Sequence, residues 1–262
     1  MTARHRVTLA SLSAAMDGGF IAIADVSTAM EEIGAAEDHR LIGGVAVMLH
    51  IQRLGLDLPL RATADADFGV PPYLLEGPAL VSAIEGLGYE KVAGNRWERR
   101  IDDRRVAAVD LLIPAYTSRP RHTKRVGGVV TTEVPGLAVA LHRPGTSVDA
   151  ELRLTTGEIC ETRIMLPDAL ATLELKARVR KVRDEERDAQ DLWRCLEIAA
   201  NDGVTPELVD AEGGAGLREL LYQELGVGGA SLSAVSRGLQ DNAAARLRTR
   251  IRSLLADVIG TV

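Results

Sequence analysis

Asp65 and Asp67 stand two residues apart in a segment, Arg61 to Val70, in which small apolar and polar residues alternate. In a strand, alternate residues share a face, so both carboxylates are predicted to point the same way, about 7 Å apart along the chain. Carboxylates that close repel each other, and a divalent cation relieves the repulsion. Oxygen ligands suit magnesium in particular. The pair therefore predicts a Mg²⁺ site.

A pair of glycines, Gly43-Gly44, lies upstream of these acids. It follows a short apolar run, and Val45 to Leu54 fit a short helix. The free N–H groups and the dipole at a helix N-terminus favour a phosphate, and glycines let it approach the backbone closely. We therefore expect the glycine turn to hold a phosphate group, with Gly44 at positive φ.

A third carboxylate, Asp110, interrupts the strongly apolar segment Arg105 to Pro114, which is predicted to be a strand. Burying a charge there costs several kcal/mol unless the group is paired or bound to a metal. One interpretation is a buried Asp held by backbone groups or by an arginine. The other, which we favour, is a third metal ligand on a strand adjacent to that of Asp65 and Asp67.

In this order, the glycine pair, the helix and the Asp-x-Asp strand resemble the nucleotidyltransferase superfamily of the polymerase-beta type. The pattern G-G-x-A-x-x-x-H followed by R-x-T-x-D-x-D is most similar to its AbiEii-type branch, the toxin half of bacterial abortive-infection and related toxin–antitoxin pairs. The matching positions are Gly43, Gly44, Ala46, His50, Arg61, Thr63, Asp65 and Asp67. The resemblance covers residues 38 to about 200. One departure is Val45, which stands where many members of the wider superfamily carry a serine.

The resemblance implies an α+β fold, with a small mixed sheet flanked by helices over residues 1–165 and a mainly helical region over 166–262. It also implies that Lys176 and Asp191, within a charged run that ends R-D-x-x-D-L, join Asp65, Asp67 and Asp110 in the catalytic set. The alternatives are a surface lysine and an ordinary helical ion pair. The implied nucleotide-binding residues are Gly43, Gly44, Arg61, Thr63 and Lys176.

The reaction that the resemblance implies is Mg²⁺-dependent transfer of a nucleotide from a nucleoside triphosphate (NTP) to an acceptor, with release of pyrophosphate. The expected acceptor is RNA, above all a tRNA end, or else a protein hydroxyl, and the expected partner is an antitoxin encoded nearby. Two alternatives stay open. One is a small-molecule adenylyltransferase of the antibiotic-modifying type, and the other is a non-catalytic binding member of the fold.

A basic loop, Ser118 to Arg125, follows the Asp110 segment. It contains Arg119, Arg121, His122, Lys124 and Arg125. A solvated surface loop is one interpretation. The other is a contact for the triphosphate or for a polynucleotide acceptor, because loops beyond a catalytic strand often face the substrate.

The 262 residues carry a net charge of −6, with 46% hydrophobic and 26% charged residues. Any nucleic-acid contact must therefore come from a local basic patch and not from the surface as a whole. No apolar run approaches the roughly 18 residues typical of a membrane span, and the first residues lack the apolar core of a signal peptide. Cys160 and Cys195 lack metal-ligand spacing, which favours a cytoplasmic chain with reduced thiols.

The elements that must position these residues follow from periodicity. Residues 1–22 receive no element. Helices are predicted over 23–36, 74–87, 168–200 with a break between 180 and 187, 217–225 and 239–259. Hairpins are predicted for 89–93 with 96–101 and for 148–154 with 159–166. A strand and loop broken at Pro135-Gly136 are predicted over 129–141.

Overall fold

A computed structural model describes residues 5–60, 63–117, 119–183 and 185–260. The chain divides into two compact units, residues 1–168 and 169–262. The first combines helices with sheets and the second is helical, so the α+β class is confirmed. Within the described ranges, no helix is both long enough and apolar enough to cross a membrane.

The first unit alternates strands and helices. Its elements are β1 (His5–Ala10), α1 (Ala14–Glu32), β2 (Arg40–Ile42), α2 (Gly43–Arg53), β3 (Ala66–Gly69), α3 (Tyr73–Glu76), α4 (Ala79–Gly86), β4 (Glu90–Ala93), β5 (Arg96–Arg100), β6 (Val106–Pro114), β7 (Lys124–Val126), β8 (Val129–Val134), α5 (Leu137–His142), β9 (Thr146–Arg153) and β10 (Ile159–Leu166).

The larger sheet has the order β2-β3-β6-β5-β4, and β6 is its central strand. One edge of β6 pairs with β3 in parallel. The other edge pairs with antiparallel β5 along its first half and with parallel β8 near its end. The hairpin partner β7 continues the sheet beyond β8. A smaller sheet has the order β1-β9-β10, with β1 parallel to β9.

The two faces of the larger sheet differ in burial. Phe68, Trp97 and Val109 are fully buried on one face, which belongs to the main hydrophobic core. Side chains alternate along strands, so the neighbouring positions on β3, β5 and β6 project to the opposite face. That face carries the candidate site.

Helix α1 packs at very short range through two consecutive glycines, Gly18 against β6 and Gly19 against the segment that precedes β3. A Cβ atom at Gly18 would lie 2.0 Å from the carbonyl oxygen of Val106, and one at Gly19 would lie 2.7 Å from that of Ala64. Any larger side chain would push the helix off the strand that carries Asp110. The helix predicted over 23–36 begins earlier, at Ala14, and ends earlier, at Glu32. The first 22 residues, which received no element, also contain β1.

The second unit consists of α6 (Ala169–Val182), α7 (Glu186–Asn201), α8 (Pro206–Glu212), α9 (Leu217–Leu225), α10 (Ala230–Ser236) and α11 (Asp241–Ile259). Its apolar centre includes Leu192, Leu196 and Ile251, all fully buried. The predicted break between 180 and 187 is confirmed. Cys160 and Cys195 are free thiols, and complete burial raises the pKa of Cys195 to about 12.

Both predicted hairpins are confirmed, and three other predictions need correction. The strand predicted from Arg61 begins only at Ala66, and Arg61 itself lies outside the described residues. The helix predicted over 74–87 is two short helices, because Gly77-Pro78 separates them. The loop predicted after Pro135 contains α5, which begins after Gly136 at φ +83°.

Candidate active site

Asp67 and Asp110 face each other across parallel strands β3 and β6, where they are direct register partners. Register partners project to the same face, and neighbouring strands lie about 4.8 Å apart. The two carboxylates are therefore neighbours on the face away from the core. Both residues are half-buried, whereas the flanking Ala66, Phe68, Val109 and Leu111 are fully buried.

The glycine turn lies directly beside Asp67. Ile42, the residue before the turn, is the register partner of Asp67. A Cβ atom at Gly43 would lie 2.2 Å from Oδ2 of Asp67, and Gly43 has φ +79°. Position 43 thus requires glycine both for its backbone conformation and for the approach of the carboxylate. The expectation that Gly44 holds the positive φ is wrong, because this conformation belongs to Gly43.

Helix α2 begins at this turn. Its N-cap residue, Ile42, makes no side-chain capping hydrogen bond, and its first turn contains no acidic residue. The first N–H groups of the helix have no partner within the helix itself. The turn therefore combines the positive end of a helix dipole with two residues that lack side chains, which is an arrangement suited to a phosphate.

Arg96 lies among the acids, a feature that the sequence interpretation did not include. Its Nη1 atom is 2.9 Å from Oδ2 of Asp110 and 3.3 Å from Oδ1 of Asp65, and its Nε atom is 2.8 Å from Oε1 of Glu98. Partial burial lowers the pKa of Arg96, but the hydrogen bond to Glu98 and the charges of Asp110 and Asp65 raise it by more. The net shift is upward, so the guanidinium stays charged. We call Asp65, Asp67, Glu98 and Asp110 the acidic cluster.

The register of the β5–β6 hairpin explains this position, since Arg96 is the direct partner of Asp110. A turn centred on residues 102–104 fixes that pairing, and Asp102 supports the turn by accepting hydrogen bonds from the backbone of Arg104 and Arg105. The segment Ile101 to Arg105 was therefore the signal from which the pairing could have been predicted.

Asp110 has a second polar partner. Nδ2 of Asn95 donates a hydrogen bond to Oδ1 of Asp110 at 2.8 Å. Burial raises the pKa of Asp110 above its ordinary value of 3.8, Arg96 opposes this shift, and the nearby charge of Asp65 adds to it. The carboxyl group of Asp110 is therefore easier to protonate than an exposed aspartate.

Among the residues that the structure describes, no group of three or more His, Cys, Asp or Glu is arranged as a ready metal site. Arg96 bridges Asp65 and Asp110. The donor set itself consists of carboxylate oxygens, which suit Mg²⁺. Asp67 and Asp110 are adjacent, and release of Arg96 would free Asp65 to join them. The residues thus fit a magnesium ion on condition that the guanidinium moves.

The basic loop borders the acidic cluster through a chain of hydrogen bonds. Oγ1 of Thr132 on β8 donates to the carbonyl oxygen of His122 at 2.9 Å and lies 3.5 Å from Oδ1 of Asn95, the partner of Asp110. Nζ of Lys124 forms an ion pair with Oε1 of Glu133 at 3.0 Å. The predicted loop ends before Lys124, because Lys124 and Arg125 belong to β7. Arg119, Arg121 and Arg125 are exposed, and none of them forms an ion pair with a described residue.

The two predicted site residues of the second unit lie together. Nζ of Lys176 on α6 is 2.9 Å from Oδ2 of Asp191 on α7, and Arg194 lies 3.1 Å from the other oxygen of Asp191. All three side chains are almost fully buried, so the surface alternative for Lys176 is wrong. Asp188, one helical turn earlier, is held by Arg183 through two contacts of 2.8 Å.

Two further residues of the resemblance are described. Thr63 lies just before β3 and is half-buried. His50 is fully buried in α2, and its Nε2 atom lies 2.9 Å from the carbonyl oxygen of Pro167. This contact gives His50 a structural role in the first unit.

Comparison of the chain with protein-family profiles, with curated proteins and with solved structures finds no match. Interpretation of the site therefore rests on the residues and geometry given above.

Proposed function

We propose that the protein is a metal-dependent nucleotidyltransferase with a nucleotidyltransferase-like catalytic unit. The observation that carries the proposal is the placement of Asp67. Its carboxylate lies beside Asp110 on the neighbouring strand and against the Gly43 turn at the start of α2. A ligand that touched all three would have anionic groups at the helix N-terminus and a cation at the carboxylates, which describes a nucleoside triphosphate with Mg²⁺.

The residues divide into two roles. The backbone N–H groups of Gly43 and Gly44 bind phosphate oxygens, and the missing side chains admit them. Asp65, Asp67 and Asp110 would hold Mg²⁺, which when bound neutralises charge on the triphosphate and lowers the pKa of an acceptor hydroxyl. Arg96 pairs with Asp110 and Asp65, so its guanidinium must move before the metal can enter.

The acceptor that the charge distribution favours is RNA. The segment from Arg119 to Arg125 carries three exposed arginines in a chain that is acidic overall, and its His122 is linked through Thr132 and Asn95 to Asp110. A polyanion approaching this face would meet Arg119, Arg121 and Arg125 first. A role as the toxin of a toxin–antitoxin pair is consistent with such a substrate, and a cationic antibiotic would instead meet like charge at this loop.

The proposal is tested by calorimetric titration of a non-hydrolysable NTP into the protein, with and without Mg²⁺. Binding should tighten with Mg²⁺ in the wild type, and this gain should vanish in Asp67→Asn. Asp103→Asn removes the same charge from a position that is 95% exposed and should behave like the wild type. The same titration of Lys176→Met tests whether the buried lysine binds the nucleotide, which is the role that the resemblance implies for it. Equal Mg²⁺ dependence in Asp67→Asn and Asp103→Asn would contradict the proposal.

A non-catalytic nucleotide-binding protein is the second candidate, and the position of Arg96 favours it. A guanidinium paired with Asp110, Asp65 and Glu98 neutralises the acids without any metal. If this pairing is permanent, the NTP should bind the wild type equally well with Mg²⁺ and with EDTA. The same titration therefore separates the two candidates.

A further inference from the structure

A cavity of about 670 Å³ lies in the first unit, away from the acidic cluster residues. Its walls come from the middle of α1, from the connection that leads into β2, and from the segments around β9 and β10. The volume is in the range of pockets that bind small molecules. Residues that line it include Ser27, His39, Arg40, Gly145 and Arg163.

Arg40 is the unusual member of this lining, because it is a buried cation with no carboxylate at ion-pair distance among the described residues. The charges of Asp168, Asp38 and Glu37 act on its guanidinium only from farther away. Only 5% of the residue is exposed. Its Nη1 atom donates to the carbonyl oxygens of Glu37 and His39, both at 2.7 Å, and Nη2 donates to that of Arg143 at 2.9 Å. Among the described residues, no carboxylate forms an ion pair with Arg40. A buried charge is costly without a partner of opposite sign, so an anion beside it would be stabilising.

Three buried polar atoms in the lining, one of them on Arg40, lack hydrogen-bond partners within the described residues. Oγ of Ser27, Nε2 of His39 and Nε of Arg40 are buried, and each has no hydrogen-bond partner within the described part of the chain. Burial lowers the pKa of His39 to about 4, so its imidazole is neutral at pH 7. Buried polar groups in folded proteins are normally satisfied. Three such atoms lie around this one cavity, where a bound ligand would supply their partners.

The cavity is kept open next to Arg40 by a glycine. A Cβ atom at Gly145 would lie 3.0 Å from Cζ of Arg40 and 2.4 Å from Sδ of Met165. Arg163 provides a second cation in the lining, and its side chain is 49% exposed and pairs with Asp149 at 3.1 Å. A half-exposed arginine can exchange a surface carboxylate for a ligand at small cost, because such pairs contribute little.

We propose that this cavity is a binding site for a small oxyanion, a phosphate or carboxylate group, held by Arg40 at its base and Arg163 at its side. The guanidinium fork matches either kind of oxyanion through paired hydrogen bonds. The site is independent of the nucleotidyltransferase proposal, since it shares no residue with the acidic cluster or the glycine turn.

The test is calorimetric titration of pyrophosphate and of citrate into the full chain, in EDTA so that the acidic cluster contributes no metal-bridged binding. The wild type should bind one equivalent of at least one anion, and the stronger of the two identifies phosphate or carboxylate as the ligand class. Arg163→Gln should weaken that binding about tenfold, the effect of one charge-assisted hydrogen bond. Arg153→Gln is the matched control, because Arg153 lies on the same hairpin and also pairs with a carboxylate but does not line the cavity.

Arg40→Met should abolish binding altogether. If this variant does not fold, as judged by circular dichroism, Ala36→Leu replaces it, because Ala36 lines the cavity and a larger side chain there reduces its volume. Absence of wild-type binding at 10 mM of either anion, about the weakest affinity of interest, would overturn the proposal. So would equal losses in Arg163→Gln and Arg153→Gln, since these would indicate general charge screening.

Discussion

Arg96 and Asp110 are direct partners across β5 and β6, and Nη1 of Arg96 lies 2.9 Å from Oδ2 of Asp110 and 3.3 Å from Asp65. The arginine thus takes the place that a cation would occupy among these acids. Nucleotidyl transfer as proposed requires Mg²⁺ to replace it. Arg96 therefore sets the balance between the stability of the metal-free protein and its affinity for metal.

Arg96→Gln should lower the stability of the protein in EDTA by on the order of 1 kcal/mol, because the acidic cluster would lose its cation and solvent screens part of the repulsion. Addition of Mg²⁺ should restore the melting temperature more than in the wild type. Arg100→Gln is the control, since Arg100 lies on the same strand, is 72% exposed and, among the described residues, forms an ion pair only with exposed Asp103. A variant that melts at the same temperature with Mg²⁺ and with EDTA would mean that no metal replaces the arginine.

Gly43→Ala should destabilise the protein by about 2–3 kcal/mol, more than the 1–2 kcal/mol of left-handed backbone strain alone. The excess arises because the new methyl group would meet Oδ2 of Asp67. Gly55→Ala is the matched control, with φ +63° and open space around the added methyl group. Chemical denaturation of both variants gives the difference. Equal losses would show that the turn and Asp67 are not in contact.

The pH dependence of stability gives a separate test of Asp110. Its pKa in the folded protein is raised above 3.8, mainly by burial, with Arg96 opposing the shift. A carboxyl group with a raised pKa destabilises the fold when ionised, so this cost is fully present above the folded pKa and disappears as the pH falls to 3.8 and below. Asp110→Asn should therefore melt at a higher temperature than the wild type at pH 7, with an advantage that shrinks toward pH 4.

Asp103→Asn provides the reference for these melting curves, because Asp103 is 95% exposed. Its curve should follow that of the wild type at every pH. A lower melting temperature for Asp110→Asn at pH 7 would mean that the ion pair with Arg96 outweighs burial, and the direction of the pKa shift would then be wrong.

Much of the candidate site follows from sequence periodicity, and the failures have identifiable causes. Asp110 could be placed on a strand because Val109, Leu111 and Ile113 alternate with it. The strand of Asp65 was predicted too long, because alternation of Ala with polar residues gives little burial on either face to hold an extended strand. Arg96 was missed because its strand was paired only with the preceding one, whereas its partner Asp110 is set by the β5–β6 register and hence by the turn at 102–104.

Long-range packing explains the remaining omissions. The close approach of α1 to β6 depends on Gly18-Gly19, and the effect of two glycines on a distant strand has no periodic signature. Arg40 stands beside the glycine turn in sequence, yet its surroundings include Gly145 and Arg143, about a hundred residues away. Such arrangements are visible only once the sheets are assembled.

The basic loop gives a prediction about RNA. Replacement of Arg119, Arg121 and Arg125 by Ser should reduce RNA affinity and flatten its dependence on salt by about 0.7 in log–log slope for each lost phosphate contact. Lys124 is left unchanged because it pairs with buried Glu133. Filter binding at several salt concentrations measures both effects.

The matched control for this loop changes the same charge elsewhere. Arg246, Arg248 and Arg252 are exposed on α11 and form no ion pair with a described residue. Their replacement by Ser should leave the salt slope close to that of the wild type. If both triple variants change the slope equally, the loop has no special part in RNA binding. If the wild type binds no RNA, a small-molecule acceptor becomes the better proposal.

We expect the protein to transfer a nucleotide from NTP to RNA at the acidic cluster. The most direct measurement is incubation of the protein with each α-³²P-labelled NTP, Mg²⁺ and total tRNA, followed by detection of labelled RNA and of released pyrophosphate. The account predicts both products with at least one NTP in the wild type and in Asp103→Asn, and neither in Asp67→Asn or in EDTA. Label transfer that persists at the wild-type rate in Asp67→Asn, or its absence from the wild type with every NTP, would contradict the account.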